Sequence, residues 1–113
     1  MVIAVNIEMN LWNTIIKFLR EENWKVLYKY DGFDAGIDFD FLILEKNNEE
    51  ILFGWDNWFE GEIKCEEARL KYIEQHLTIS FKLGEPENLK PEIIELYRKQ
   101  IAKKWWKPSW FRL

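Results

Sequence analysis

The residues whose types and spacing could do chemistry are carboxylates. Asp38 and Asp40 lie two apart in the run AGIDFDFLILE, and Glu60 and Glu62 lie two apart in WFEGEIK. On a β-strand, side chains two apart point to one face. Each pair therefore offers two carboxylates on one side of its strand, and neighbouring strands would let the pairs converge. Converging carboxylates hold hard cations such as Mg²⁺ or Mn²⁺ and raise one another's pKa.

Glu62-Ile63-Lys64 reads E-x-K on a strand, preceded by acids and followed by a helix and a further strand. That order resembles the core of the PD-(D/E)xK nucleases over roughly residues 10–83. The resemblance implies a divalent ion held by Glu62 with Asp40 or Asp38, or with Asp56 as a further choice. It also implies Lys64 positioning or activating the attacking water. The catalytic set would be Asp40, Glu62 and Lys64, and the metal set Asp38, Asp40 and Glu62. The chain departs from the family pattern in having no Pro before the Asp and an extra strand before E-x-K. It is also acidic, where a phosphate path requires positive potential. The competing expectation is a solvated acidic sheet face, with no catalytic residue, no metal and no cofactor.

Other reactive side chains are few. His76 is the sole histidine and Cys65 the sole cysteine. Neither has the companions of a catalytic triad or of a zinc site. His76 falls at a predicted helix C-terminus, where it can meet exposed carbonyls. Cys65 is expected to be a buried structural thiol. The run DGFDAGIDFD lacks the spacing of a calcium-binding loop and reads as a turn, with Asp31 and Asp34 accepting local N–H groups.

Tryptophan marks a second kind of site. The chain holds seven, in three groups: Trp12 and Trp24, Trp55 and Trp58, and Trp105, Trp106 and Trp110. Trp favours cores and the centres of binding surfaces. If Phe59, Gly61 and Ile63 face the core, Trp58 points outward beside Glu60 and Glu62. The set Trp55, Asp56, Trp58, Glu60 and Glu62 would then be an aromatic-centred acidic surface fit for a basic protein partner. In the basic tail, Trp105 continues the stripe of a final helix and is expected to be buried, with Trp110 and Phe111 folding back as a clasp.

The elements that must position these residues follow from periodicity. Asn10 can cap a helix to about Glu22, with Leu11, Ile15, Phe18 and Leu19 on one stripe. WKVLYKY alternates, placing Trp24, Val26, Tyr28 and Tyr30 on one face. Ile37–Glu45 is the clearest strand, and KNNE turns it back into a strand over residues 50–55. Asp56-Asn57 turns again into a strand over residues 58–64. A helix over residues 66–76, a strand over residues 77–83 and a helix from Pro91 complete the order α-β-β-β-β-α-β-α. MVIAVNIE is a poor signal peptide and a candidate leading strand. Met9 is an alternative start that would make the first eight residues dispensable. The expected class is α+β: an antiparallel meander of four to five strands packed with three helices, the helices on one side.

Bulk properties bound the reading. At 113 residues a single domain spanning 1–113 is expected. No apolar run reaches the roughly 18 residues of a membrane span. A lone cysteine permits no internal disulfide and suits a reducing cytosol. Residues 1–67 carry a net charge of −9 and residues 68–113 a net +5. Such a split disfavours nucleic-acid coating, which wants one broad basic face, and favours a protein partner or a metal held by the acidic half, with internal charge pairing as the competing expectation. The leading expectation is a non-enzymatic cytosolic protein-binding domain, of the kind used by small inhibitors or bacterial immunity proteins. A metal-dependent phosphodiesterase and a small-ligand module with a Trp-lined pocket are the alternatives.

Overall fold

Two asparagines build the first hairpin. Asn47 and Asn48 have φ of 51° and 66°, the two left-handed residues that a two-residue type I′ turn needs. Asn tolerates that region better than other side chains. The turn joins β3 (Phe39–Lys46) to β4 (Glu49–Asp56), which pair in register from Lys46 opposite Glu49 to Phe39 opposite Asp56. The computed structural model describes the backbone of residues 1–32 and 35–105, with side chains among them as far as Ile101.

The remaining elements are β1 (Val2–Ile7), α1 (Met9–Glu21), β2 (Lys25–Lys29), β5 (Glu60–Cys65), α2 (Glu67–Leu77), β6 (Lys82–Leu83) and α3 (Pro91–Trp105). The strands form one antiparallel sheet in the order β2-β3-β4-β5-β1-β6. The expected order of elements is present, preceded by the leading strand. β1 lies inside the sheet, between β5 and β6, with Ala4 and Ile7 buried. The candidate leading strand is thus part of the sheet and of its core.

Both faces of the sheet are covered. Trp12, Ile15 and Leu19 of α1 and Leu70 and Ile73 of α2 pack with Leu42, Leu44, Ile51, Phe53 and Ile63. Ile94 and Tyr97 of α3 pack with Phe41, Ile43 and Leu52 on the other face. A single helical layer was expected, and α3 instead forms a second one. The central strands explain this. FLIL and ILF are apolar at consecutive positions, so both faces of β3 and β4 demand burial.

Three local readings change. Between Val26 and Tyr28 the pairing of β2 with β3 shifts register. This bulge breaks the alternation, so Trp24 joins the α1 side, Tyr28 joins the α3 side and Val26 is 45% exposed. The strand expected over residues 77–83 shrinks to Lys82–Leu83, because α2 continues to Leu77 and Thr78 caps it with φ 53°. Glu8 rather than Asn10 caps α1, its carboxylate accepting the Asn10 N–H at 3.3 Å. The burial expected of Trp105, Trp110 and Phe111 lies outside the described residues.

The charge asymmetry is partly resolved inside the fold. Arg69 donates two hydrogen bonds to Glu49, at 2.9 and 3.0 Å, and Arg98 donates to Glu50 at 2.7 Å. Each pair joins a base of the cationic stretch to an acid of the anionic one. The Arg69 guanidinium also lies 5.1 Å from the ring centres of Trp24 and Tyr72, tying α2 to the end of α1. Its hydrogen bonds hold the Glu49 carboxyl below its ordinary pKa.

Candidate functional site

The sheet separates the carboxylates that the nuclease resemblance would bring together. Asp40 stands opposite Trp55 on the face covered by α1 and α2, while Glu62 stands opposite Gly54 on the face covered by α3. Lys64 stands opposite Leu52 and shares the face of Glu62. Asp40, Glu62 and Lys64 therefore share no cleft. Neither do Asp38, Asp40 and Glu62 as a metal set. Among the described residues no group of three His, Cys, Asp or Glu side chains is placed to hold a metal ion.

Each carboxylate has a different occupation. Lys29 Nζ donates to both oxygens of Asp40, at 3.0 and 3.1 Å, and the Phe41 N–H adds a bond of 2.9 Å. Asp38 Oδ1 accepts from Asn57 Nδ2 at 2.7 Å. Glu62 is 1% exposed, whereas an outward surface position was expected. Its carboxylate accepts three consecutive backbone N–H groups: Glu87 at 2.7 Å, Asn88 at 3.0 Å and Leu89 at 2.9 Å. Glu62 is thus a hook for the segment that leads into α3. Gly54 opposite it allows that close approach, since a Cβ there would lie 3.0 Å from both Asn88 Cβ and Leu89 Cδ2.

Cys65 is buried and His76 meets a helix carbonyl, as expected. Cys65 is fully buried, and burial pushes its thiol up to about 12. His76 Nδ1 lies 3.0 Å from the Tyr72 carbonyl, and its ring lies 4.0 Å from the Tyr72 ring.

The aromatic surface is present but differently composed. Trp55 is 5% exposed and belongs to the core, so it leaves the expected partner-binding set together with Glu62. The strand expected from Trp58 begins at Glu60, because Asn57, Trp58 and Phe59 form the β4–β5 loop. Trp58 is 75% exposed and Phe59, expected in the core, is 49% exposed. Ile37, expected to lie in the strand, precedes it and is 64% exposed.

This loop is held by its own side chains. Asp56 Oδ1 accepts the N–H groups of Trp58 at 2.9 Å and Phe59 at 2.6 Å. Such a turn is favoured by Asp because its short carboxylate reaches backbone N–H groups two and three residues on. Asn57 Nδ2 donates to the Ile37 carbonyl at 2.9 Å and to Asp38. Glu60 closes the loop with φ 63°. Two exposed aromatic residues therefore stand on a loop fixed at both ends, beside Ile37 and three carboxylates, Asp38, Asp56 and Glu60. The Asp-x-aromatic-aromatic run was the legible signal for this turn. The turn expected at Asp56-Asn57 is present and extends through Phe59, so the strand starts two residues later than Trp58.

A Trp-lined pocket is also present in reduced form. Trp12 lines a cleft of about 260 Å³ with Ile16, Lys29 and Asp40. That is below the roughly 300–1,000 Å³ of usual small-molecule sites.

No family model matches the chain, and neither a curated protein nor a solved structure matches it. Among the described residues no helix is long and apolar enough to cross a membrane.

Proposed function

We propose that the chain is a protein-binding domain whose contact centre is the β4–β5 loop, with Trp58 as the anchor, Phe59 and Ile37 beside it, and Asp38, Asp56 and Glu60 as an acidic rim. The observation that carries the reading is Trp58: an indole 75% exposed on a loop whose backbone is held by Asp56 and Asn57. Exposed indole is costly to leave in water, and a fixed loop loses little conformational freedom on binding. Buried Trp anchors dominate many interfaces. The carboxylates select a partner with a basic rim and speed its encounter. An inhibitor or immunity-type role, in which the loop enters and neutralises a basic cleft, follows from the same surface. A cytosolic setting goes with the proposal, because a lone thiol stays reduced there.

The test is a quantitative one. A partner retained by the immobilised wild-type chain is purified and its affinity measured by calorimetry with wild type, Trp58→Ala and Glu60→Lys. Trp58→Ala is expected to change stability by less than about 0.5 kcal/mol and to weaken binding by about 2 kcal/mol, roughly 30-fold. Glu60→Lys is expected to slow association and to reduce its salt dependence. Equal affinity of all three proteins would refute the placement of the site.

A further inference from the structure

The Trp58 loop closes on a residue in an uncommon conformation. Glu60 has φ 63° and pairs with Asp56 across the foot of the loop. A left-handed position at the end of a hairpin loop is ordinarily given to glycine, which has no Cβ to clash, or to asparagine. The chain follows that preference elsewhere. Among the described residues, four of the six non-glycine residues with positive φ are asparagines: Asn6, Asn23, Asn47 and Asn48. Glutamate has neither advantage, so its surroundings must hold Glu60 in place.

Asn88 supplies such a hold. Its Nδ2 donates to the Glu60 carbonyl at 3.2 Å, across 28 residues of chain. Asn88 is itself fixed. It is 3% exposed, and its own N–H donates to the Glu62 carboxylate at 3.0 Å, between the bonds from Glu87 and Leu89. Its main chain is thus anchored on β5 at Glu62, and its side chain grips the same strand two residues earlier. Asp56 holds the Trp58 and Phe59 N–H groups from the β4 side of the loop. Without the Asn88 bond, residue 60 is free to relax toward the extended region, and that rotation redirects the chain at Phe59 and Trp58. A loop already in its bound geometry binds more tightly than one that must be ordered. We propose that Asn88 is the positioning residue of the Trp58 loop: by holding the Glu60 carbonyl it keeps residue 60 left-handed and fixes where Trp58 and Phe59 stand, without touching a partner itself. Its bearing on affinity rests on the reading of that loop as the contact surface.

The test is a double-mutant cycle of Asn88→Ala and Glu60→Asn in isotope-labelled full-length protein. Asn88→Ala keeps the Cβ and the backbone N–H that Glu62 holds, so the hook stays intact. Glu60→Asn installs a residue that tolerates the left-handed region unaided. A positive φ brings a residue's amide and α protons close together and gives a strong cross-peak between them. In Asn88→Ala that cross-peak at Glu60 is expected to weaken and the amides of Asn57 to Glu60 to shift, while those of Glu87, Leu89, Ile43 and Leu52 stay in place. In the double variant the cross-peak is expected to return. Affinity for the purified partner of the Trp58→Ala comparison should fall about 10-fold on Asn88→Ala in the wild-type background and less than about 2-fold in the Glu60→Asn background. The positioning role is overturned if residue 60 keeps its cross-peak in Asn88→Ala, if the shifts spread through the hook and the central strands, or if Asn88→Ala weakens binding equally in both backgrounds. A partner indifferent to Trp58→Ala would instead refute the contact surface, and the resonances would still decide what Asn88 does.

Discussion

Replacing Glu62 tests the central structural claim and separates it from a catalytic one. The carboxylate accepts the N–H groups of Glu87, Asn88 and Leu89. Asn88 and Leu89 are 3% and 0% exposed, so water does not readily replace the lost acceptor at those two. A buried donor left unsatisfied costs roughly 1–3 kcal/mol, so Glu62→Ala should cost about 2–6 kcal/mol. That is a large part of the about 5–15 kcal/mol that holds an ordinary domain folded. Glu62→Gln keeps the shape and one acceptor oxygen but turns an NH₂ toward a backbone N–H. Losing one charge-assisted bond should cost about 1.5–3 kcal/mol. Urea unfolding measures both, with stability expected to fall from wild type to Gln to Ala. Hydrogen exchange at Asn88 and Leu89 should accelerate in the same order. A stability of Glu62→Ala within about 0.5 kcal/mol of wild type, or above it, would refute the hook. Increased stability in particular would be the sign of a carboxylate held for function at the expense of the fold.

Two further outcomes test the packing and its titration. Gly61→Ala would place a Cβ 2.5 Å from Trp12 Cδ1 and 2.8 Å from the Ile7 carbonyl oxygen. It should destabilise by about 1–3 kcal/mol in thermal or urea unfolding, since backbone and indole must both shift. The Cys65 thiol rises from an ordinary value of 9.0 to about 12 on burial. The native state then holds a proton that the unfolded state releases, so stability is full below about pH 9 and falls as pH rises toward about 12. Over that window the loss is roughly 4 kcal/mol, and the raised Tyr28 phenol adds in the same direction. Unfolding curves from pH 8 to 11 should show the decline, and Cys65→Ala should flatten it.

The sequence by itself determined the elements and most of their order, for reasons that are local. Paired asparagines chose the first hairpin turn, because few other residues accept two successive left-handed positions. A run rich in apolar, strand-favouring residues marked β3, and a four-to-three apolar spacing marked α1. Local chemistry also foretold a turn at Asp56-Asn57, a buried Cys65 and a His76 that meets a helix carbonyl. Local pattern misplaced residues wherever a non-local neighbour decided the outcome. The bulge in β2 depends on β3, so the alternation of WKVLYKY misassigned Val26. The burial of Glu62 depends on three N–H groups some 25 residues later, and in sequence an acid beside Trp58 looks like surface. The face of the sheet on which α3 settles depends on the whole apolar content of β3 and β4, which sends one helical layer to each side. The candidate site followed the same division. Trp58 is exposed as expected, but as part of a loop and not by the parity of Gly61 and Ile63, which would equally have exposed the buried Glu62; Phe59 and Ile37 joined it because side-chain hydrogen bonds from Asp56 and Asn57 ended the strands. The separation of Asp40 from Glu62 is wholly tertiary: alternation gives each its face, but only the pairing through β4 establishes that the two faces are opposite.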